Sequence, residues 1–243
     1  MRVDLEPPAV ALAVVAHPDD AEFQCGGTLA KWSESGTEVH HLVCTDGSKG
    51  TWDPDADTVA LVARRRDEQA EAARRLGATG SVHHLGAVDG ELSNDIESRS
   101  RLAHLIRRVR PDVVLAHDPW RRWRLHPDHR AAGFLAVAAV VAARDPHFHR
   151  DHDLAPHRPA ALLVFECEEP DHVEALAERH VEAKIAALLA HESQFETTMG
   201  ITDPADAAQR AAFARRIHEE CRRAGRRAGV ARGEAFRLLD PAS

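Results

Sequence analysis

Apolar positions recur along the chain in two registers. Residues 10–16 form an unbroken apolar run, as a strand buried on both faces requires, and end at a polar His-Pro-Asp-Asp segment. Residues 21–32 then read as a helix that stops near Gly36. The alternation repeats. A β-branched run over 38–44 and a turn at Asp46-Gly47 precede a helix over 58–76, which Gly77 terminates. A short strand over 81–85 precedes an amphipathic helix over 94–110, and Pro111 leads into a strand over 112–116. An alanine-rich helix is expected over 128–144, a His-rich loop over 145–159 and another strand over 160–166. Beyond that the pattern predicts only helices, at 171–190 and 204–227. The fold class is therefore α/β: a Rossmann-like, mostly parallel sheet sandwiched by helices, with a C-terminal helical segment. In such open sheets ligands bind beyond the carboxyl ends of the strands, where the strand order reverses.

Composition narrows the class. The 243 residues suffice for a sizeable core, and 44% hydrophobic with 29% charged residues is ordinary for a globular chain. No apolar run approaches the roughly 18 residues of a membrane span. The opening MRVDLEPPAV has neither a basic segment nor a small-residue cleavage site, so no export signal is expected. Cys25, Cys44, Cys167 and Cys221 form no CxxC pair, which fits reduced thiols and a cytoplasmic location better than a disulfide framework. A net charge of −8 argues against a nucleic-acid partner, despite arginine-dense stretches at 64–66, 121–124 and 222–227. The 17 histidines turn attention to metal or proton chemistry.

Three polar segments follow three separate predicted strands: His17 to Asp20, Thr45-Asp-Gly47, and the stretch from His117 to His129. They can converge on one crevice. A catalytic zinc site needs three imidazole or carboxylate ligands and an open position. His17 with Asp20, and His126 with His129, offer such groups three positions apart, with Asp19 as a further carboxylate; assigning three ligands leaves an acid/base pair. The competing reading is that these aspartates, and Asp128, merely cap helices. Two imidazoles and a carboxylate suit zinc, iron or manganese alike. Trp120 to Arg124 reads either as a rim that stacks on a sugar or as a solvated loop over buried tryptophans. His40-His41 and His83-His84 should each place one ring inward and one outward. Gly26-Gly27 inside a helix calls for close packing or a ligand. The 145–159 run fits no standard zinc spacing and reads as a polar loop or lid. No GxGxxG follows the first strand, which disfavours a dinucleotide enzyme.

The segments AHPDDAEFQCGGTLAKW from Ala16, TDGSKG from Thr45, RRDEQAEAARRLG from Arg65, LGAVDGEL from Leu85, HPDHR from His126 and KIAALLAHESQF from Lys184 span most of the chain. In their order and spacing the sequence resembles the LmbE-like, or PIG-L, N-acetylglucosaminyl deacetylases. The resemblance implies a single domain over 1–243 that uses Zn2+ to remove an acetyl group from an N-acetylated amino sugar or glycoconjugate. It implies zinc held by His17, Asp20 and His129, Asp19 as general base, and His126 stabilising the oxyanion with Asp128 orienting its ring. It implies Arg65 and Asp89 as contacts to the sugar. Ser48 stands where family members often carry an acidic residue, a departure that bears on substrate rather than metal. The same chemistry would serve an amidase acting on a non-sugar or thiol-conjugate substrate. A metal-binding module without turnover is the remaining reading, and both Asp19 and His126 speak against it. The expected partner is a small acylated amine, with a homo-oligomer left open.

Overall fold

The computed structural model describes residues 1–242. Eight strands, β1 (Arg2–Val3), β2 (Val10–Val15), β3 (Glu38–Thr45), β4 (Val82–Ala87), β5 (Val113–His117), β6 (Ala161–Phe165), β7 (His172–Ala175) and β8 (Gly233–Leu239), form one sheet in the order β1-β7-β8-β6-β5-β2-β3-β4. β8 runs antiparallel to both of its neighbours, and the other pairings are parallel. Six α-helices connect or cover the strands: α1 (Asp20–Glu34), α2 (Thr58–Arg75), α3 (Ile96–Val109), α4 (Pro127–Arg144), α5 (Glu178–Leu188) and α6 (Ala207–Arg226). Among the described residues no helix is long and apolar enough to cross a membrane.

The continuous apolar run of β2 is explained by burial on both faces. Leu12 and Val14 point into a core with Leu102 and Ile106 of α3 and Leu135 of α4, whereas Ala11, Ala13 and Val15 point into one with Leu29 and Trp32 of α1. The chain order reverses beside β2, with β3 on one side and β5 on the other. The carboxyl ends of β2 and β5 therefore border the crevice where an α/β sheet binds its ligand.

The C-terminal region departs from expectation. Residues 172–175 are a strand rather than the start of a helix, and 233–239 form a strand where none is predicted. β7 carries His172 and Glu174, both fully buried and paired at 2.7 Å, so its inward residues are polar and no apolar period marks it. β8 is specified by the gap between β6 and β7, a partner set that local sequence cannot reveal. The paired histidines also depart. His41 is fully buried and His40 nearly so, because His40 stacks on His83 at 5.7 Å near the sheet edge and accepts the Ser81 N–H. His83 and His84 are both half-buried.

Gly26 and Gly27 serve close packing. α1 breaks at Cys25 (φ −140°, ψ 15°), and the amides of Gly27 and Thr28 donate to the Glu234 carboxylate at 3.0 and 2.7 Å. Lys184 completes the arrangement, 2.6 Å from Glu234 and 2.8 Å from the Phe23 carbonyl. A Cβ on Gly27 would lie 2.5 Å from Leu176, and one on Gly26 3.2 Å from Lys184. Lys184→Met strands a buried carboxylate, so unfolding free energy is expected to fall by about 3–5 kcal/mol. The urea midpoint reads this, with slope unchanged. A fall under about 1 kcal/mol would mean that the helix amides alone satisfy Glu234.

Candidate metal centre

β2 ends against Ala16 and His17, and α1 begins at Asp20, so the HPDD segment turns at the crevice floor. β5 ends at His117, and the following loop re-enters the crevice at His126 and the first turn of α4. His17 Nδ1 lies 3.1 Å from His129 Nε2 and 3.3 Å from Asp20 Oδ2, while His129 Nε2 lies 3.4 Å from Asp20 Oδ1. Asp20 faces His17 with Oδ2, which also accepts the His17 main-chain N–H at 2.8 Å, and faces His129 with Oδ1, so the three side chains converge without a single Asp20 oxygen closing a triangle. The groups whose single ligand atoms lie within 4.8 Å of one another include His17, His126 and His129, and Asp20, His117 and His129.

The electrostatics agree. Burial alone would lower the pKa of His17, but Asp128, Asp20 and Asp89 overrule it and raise the ring to about 12. Burial opposes ionisation of Asp20 too, yet His129 and His117 hold its carboxyl well below the usual range. The pocket is thus built around a positive charge, which a cation among these donors would supply in place of the His17 proton. His129 goes the other way: burial drops its pKa to about 4, leaving the ring neutral and able to act as a ligand.

Capping does not explain these aspartates. Asp19 occupies the N-cap position of α1, yet its side chain makes no capping bond, in contrast to Asp57, Asp95 and Asp206 at the starts of α2, α3 and α6. Its backbone sits in the left-handed region (φ 95°), a conformation that costs a non-glycine residue about 1–3 kcal/mol and clusters at functional sites. The carboxylate is buried, Oδ2 has no hydrogen-bond partner among the described residues, and Arg65 Nη2 stands 3.6 Å away. Burial raises the pKa of Asp19, with Arg65 opposing and Asp20 adding to the rise.

Asp128 is placed differently from the expectation that it orients His126. Its Oδ2 lies 3.1 Å from His17 Nε2 and accepts the Gly90 N–H at 2.7 Å, and Oδ1 accepts the Leu92 N–H at 3.2 Å. Residues two apart at a helix start do not face each other, so Asp128 turns into the protein while His126 stays exposed at the cleft mouth. His126 packs edge-on against His17, with centroids 4.5 Å apart. Asp89 Oδ1 also approaches His17 Nε2, at 3.3 Å.

All of the proposed site residues except the wholly buried Asp128 line one cleft of about 490 Å³, together with Lys49, Trp52, Gln194 and Thr197. Of the three adjacent arginines only Arg65 is buried, and it donates to the carbonyls of Gly47 and Pro18, bracing two of the three polar segments against each other. The tryptophans of the 120–124 loop are not buried: Trp123 is 89% exposed, beside Leu125 at 95%.

Some groups were missed by sequence reasoning. His117 Nε2 lies 3.3 Å from Asp20 Oδ2, and its Nδ1 lies 3.2 Å from Glu166, which also bonds Arg124 and Arg121. Polar residues at the carboxyl ends of two apolar strands were the available signal. Gln194 lies within the KIAALLAHESQF segment just before a π-helical turn (Phe195–Met199), and Thr197, inside that turn, had no signal. His191 is fully buried behind the cleft rather than lining it. In the His-rich loop, ligand atoms of His149, Asp151 and His152 lie within 4.8 Å of one another. Both nitrogens of His152 are engaged, however, by Arg107 at 3.3 Å and Ser100 at 2.8 Å. Arg107 also holds five carbonyls between Ala142 and His149, so this loop is tied down from below.

A Rossmann-like sheet with a His/Asp cluster that could hold a metal at its switch point, next to a buried carboxylate, defines an α/β protein with a candidate metal site. Residues 12–140, more than half of the chain, match the family described as PIG-L: GlcNAc-PI de-N-acetylase, and the chain belongs to that family. It is 38% identical over 187 residues to diacetylchitobiose deacetylase of Thermococcus kodakarensis, covering 76% of this chain and 69% of that protein. The solved N,N'-diacetylchitobiose deacetylase of Pyrococcus horikoshii superposes with a TM-score of 0.85 at 30% identity, over 97% of this chain and 85% of that one. A 1D-myo-inositol 2-acetamido-2-deoxy-α-D-glucopyranoside deacetylase of Streptomyces avermitilis is 33% identical over an alignment of 162 positions that covers 56% of this chain. The chain spans only about half the length of that relative, 54%.

Proposed function

We propose that this protein is a zinc-dependent N-deacetylase that hydrolyses the acetamide of an N-acetylated amino sugar or its glycoconjugate. The observation that carries the reading is the convergence of His17, Asp20 and His129, with pairwise contacts of 3.1–3.4 Å made through both Asp20 oxygens, beside an Asp19 carboxylate whose Oδ2 makes no hydrogen bond among the described residues. His17 Nδ1, Asp20 and His129 Nε2 are the groups that would hold the ion. When bound, it supplies the Lewis acidity that acidifies water and polarises an amide carbonyl. Asp19 takes the proton of the attacking water, a role suited to a carboxylate whose basicity burial has raised. Burial, then the charge on His17, lower the pKa of His126, which keeps its ring neutral and able to donate one N–H to the oxyanion. Arg65 and Asp89, on the cleft wall, are assigned to sugar hydroxyls. The cleft volume suits a ligand of mono- or disaccharide size.

The test is amine release from N-acetylglucosamine and its conjugates by zinc-loaded and chelated protein. Turnover that requires the metal is expected. A loaded protein inert on every sugar amide but active on acylated non-sugar amines would sink the sugar assignment and leave the amidase. A further expectation concerns Asp128. Because it braces His17 rather than His126, Asp128→Ala is expected to weaken zinc binding by roughly 10- to 100-fold, read by competition with a chelating dye. Unchanged zinc affinity would mean that Asp89 alone orients the ring.

A further inference from the structure

Behind Asp19 lies a group of buried polar side chains that the proposed chemistry does not use. Glu22 of α1, His41 of β3, Gln69 of α2 and His191 beyond α5 are all fully buried. Gln69 reaches the site. Its Oε1 accepts the backbone N–H of Asp19 at 3.0 Å, and its Nε2 donates to Glu22 Oε1 at 2.8 Å. Glu22 Oε2 in turn lies 3.4 Å from His191 Nε2, and Glu22 Oε1 lies 3.9 Å from His41 Nε2. An amide fills almost the same space after a half-turn, so its partners decide which end faces which neighbour. An ionised carboxylate only accepts hydrogen bonds. Glu22 therefore captures the NH2 end of Gln69 and turns the carbonyl end toward Asp19.

Asp19 needs such an anchor. Its Oδ2 has no hydrogen-bond partner among the described residues, and the Arg65 contact is 3.6 Å long, so the carboxylate is aimed by the main chain. That main chain has φ 95°, a region sparsely populated by residues other than glycine, and the Gln69 acceptor fixes the direction of its N–H there. We infer that Gln69, oriented by Glu22, is a positioning residue that holds the Asp19 backbone in this conformation and so aims its carboxylate into the cleft. The inference rests on the reading of Asp19 as general base. It also gives a use to the buried Glu22, a polar group that an apolar core would otherwise exclude.

The test uses the zinc-loaded full chain and the amine-release assay. Gln69→Met is expected to lower kcat by about 10- to 100-fold through misplacement of the base, with KM and zinc stoichiometry unchanged. Hydrogen exchange at the Asp19 amide should accelerate at least about tenfold, a change expected once its acceptor is lost. Adding Gln69→Met to Asp19→Ala should slow the enzyme no further, because the first residue acts only through the second. Glu22→Met should repeat the pattern, and Glu22→Gln, whose carbonyl still accepts from Gln69, should restore most of the rate. If Gln69→Met does not fold, the Glu22 pair decides the matter alone. A folded, zinc-bound Gln69→Met with wild-type kcat, or additive losses in the double variant, overturns the inference while an inactive Asp19→Ala leaves the base assignment standing. An Asp19→Ala enzyme with wild-type rate overturns both.

Discussion

Asp19→Ala is expected to lower kcat by roughly 10²–10⁴-fold while the protein keeps its metal, the range typical of a lost general base. The separation of the two effects follows from geometry. Asp19 lies next to His17, Asp20 and His129 but is not one of the proposed ligands, and those are braced independently, Asp20 by His117 and His17 by Asp128. Removing the Asp19 carboxylate removes a buried charge whose pKa burial has raised, and its ion partner Arg65, 3.6 Å away, keeps two carbonyl acceptors. The variant should therefore be at least as stable as the parent. Zinc content, thermal midpoint and kcat measured together make the check. Activity lost only because zinc is lost would assign Asp19 to the metal instead. Asp19→Asn, which keeps the volume but cannot take a proton, should be as slow as the alanine variant.

His126→Ala is expected to lower kcat by about 10²–10³-fold, the usual loss for one preorganised oxyanion donor, or roughly 2.7–4 kcal/mol of barrier. His126 is the exposed member of the histidine group, and it packs edge-on against His17 without any of the carboxylate contacts that pin His17. Its removal should leave zinc affinity and KM close to the parent values, because the interaction it makes is strongest in the transition state. His126→Gln, which retains an N–H donor of similar reach, should recover part of the rate. A His126→Ala enzyme with unchanged kcat but raised KM would move this residue from the oxyanion to ground-state binding.

The two motifs were legible in the sequence because their chemistry is local. HPDD and HPDH each place their candidate ligands and proton-moving groups within one turn of chain, the first directly after an apolar run and the second after a loop that follows one. The same holds for β2, β5 and β6, whose apolar runs are continuous because both sheet faces are covered. The choice of Arg65 among three adjacent arginines, by contrast, is made by the phase of α2 against the HPDD loop, a tertiary matter. The partner of Asp128 is decided the same way: the resemblance implies His126, whereas the helix start turns the carboxylate toward His17, 111 residues away.

By itself the sequence determined the α/β class, the positions at which strands yield to polar loops, and the residue types able to hold a metal and move a proton. These follow from periodicity and side-chain chemistry, both properties of short stretches of chain. The tertiary structure alone decided which carboxylate braces which imidazole, that β7 and β8 complete the sheet, and that Glu22, Gln69, His117, Glu166 and His191 stand behind the site. Each of these depends on contacts between residues far apart in the chain, made in a buried interior where a polar group must have a partner and where the packing of several elements selects it.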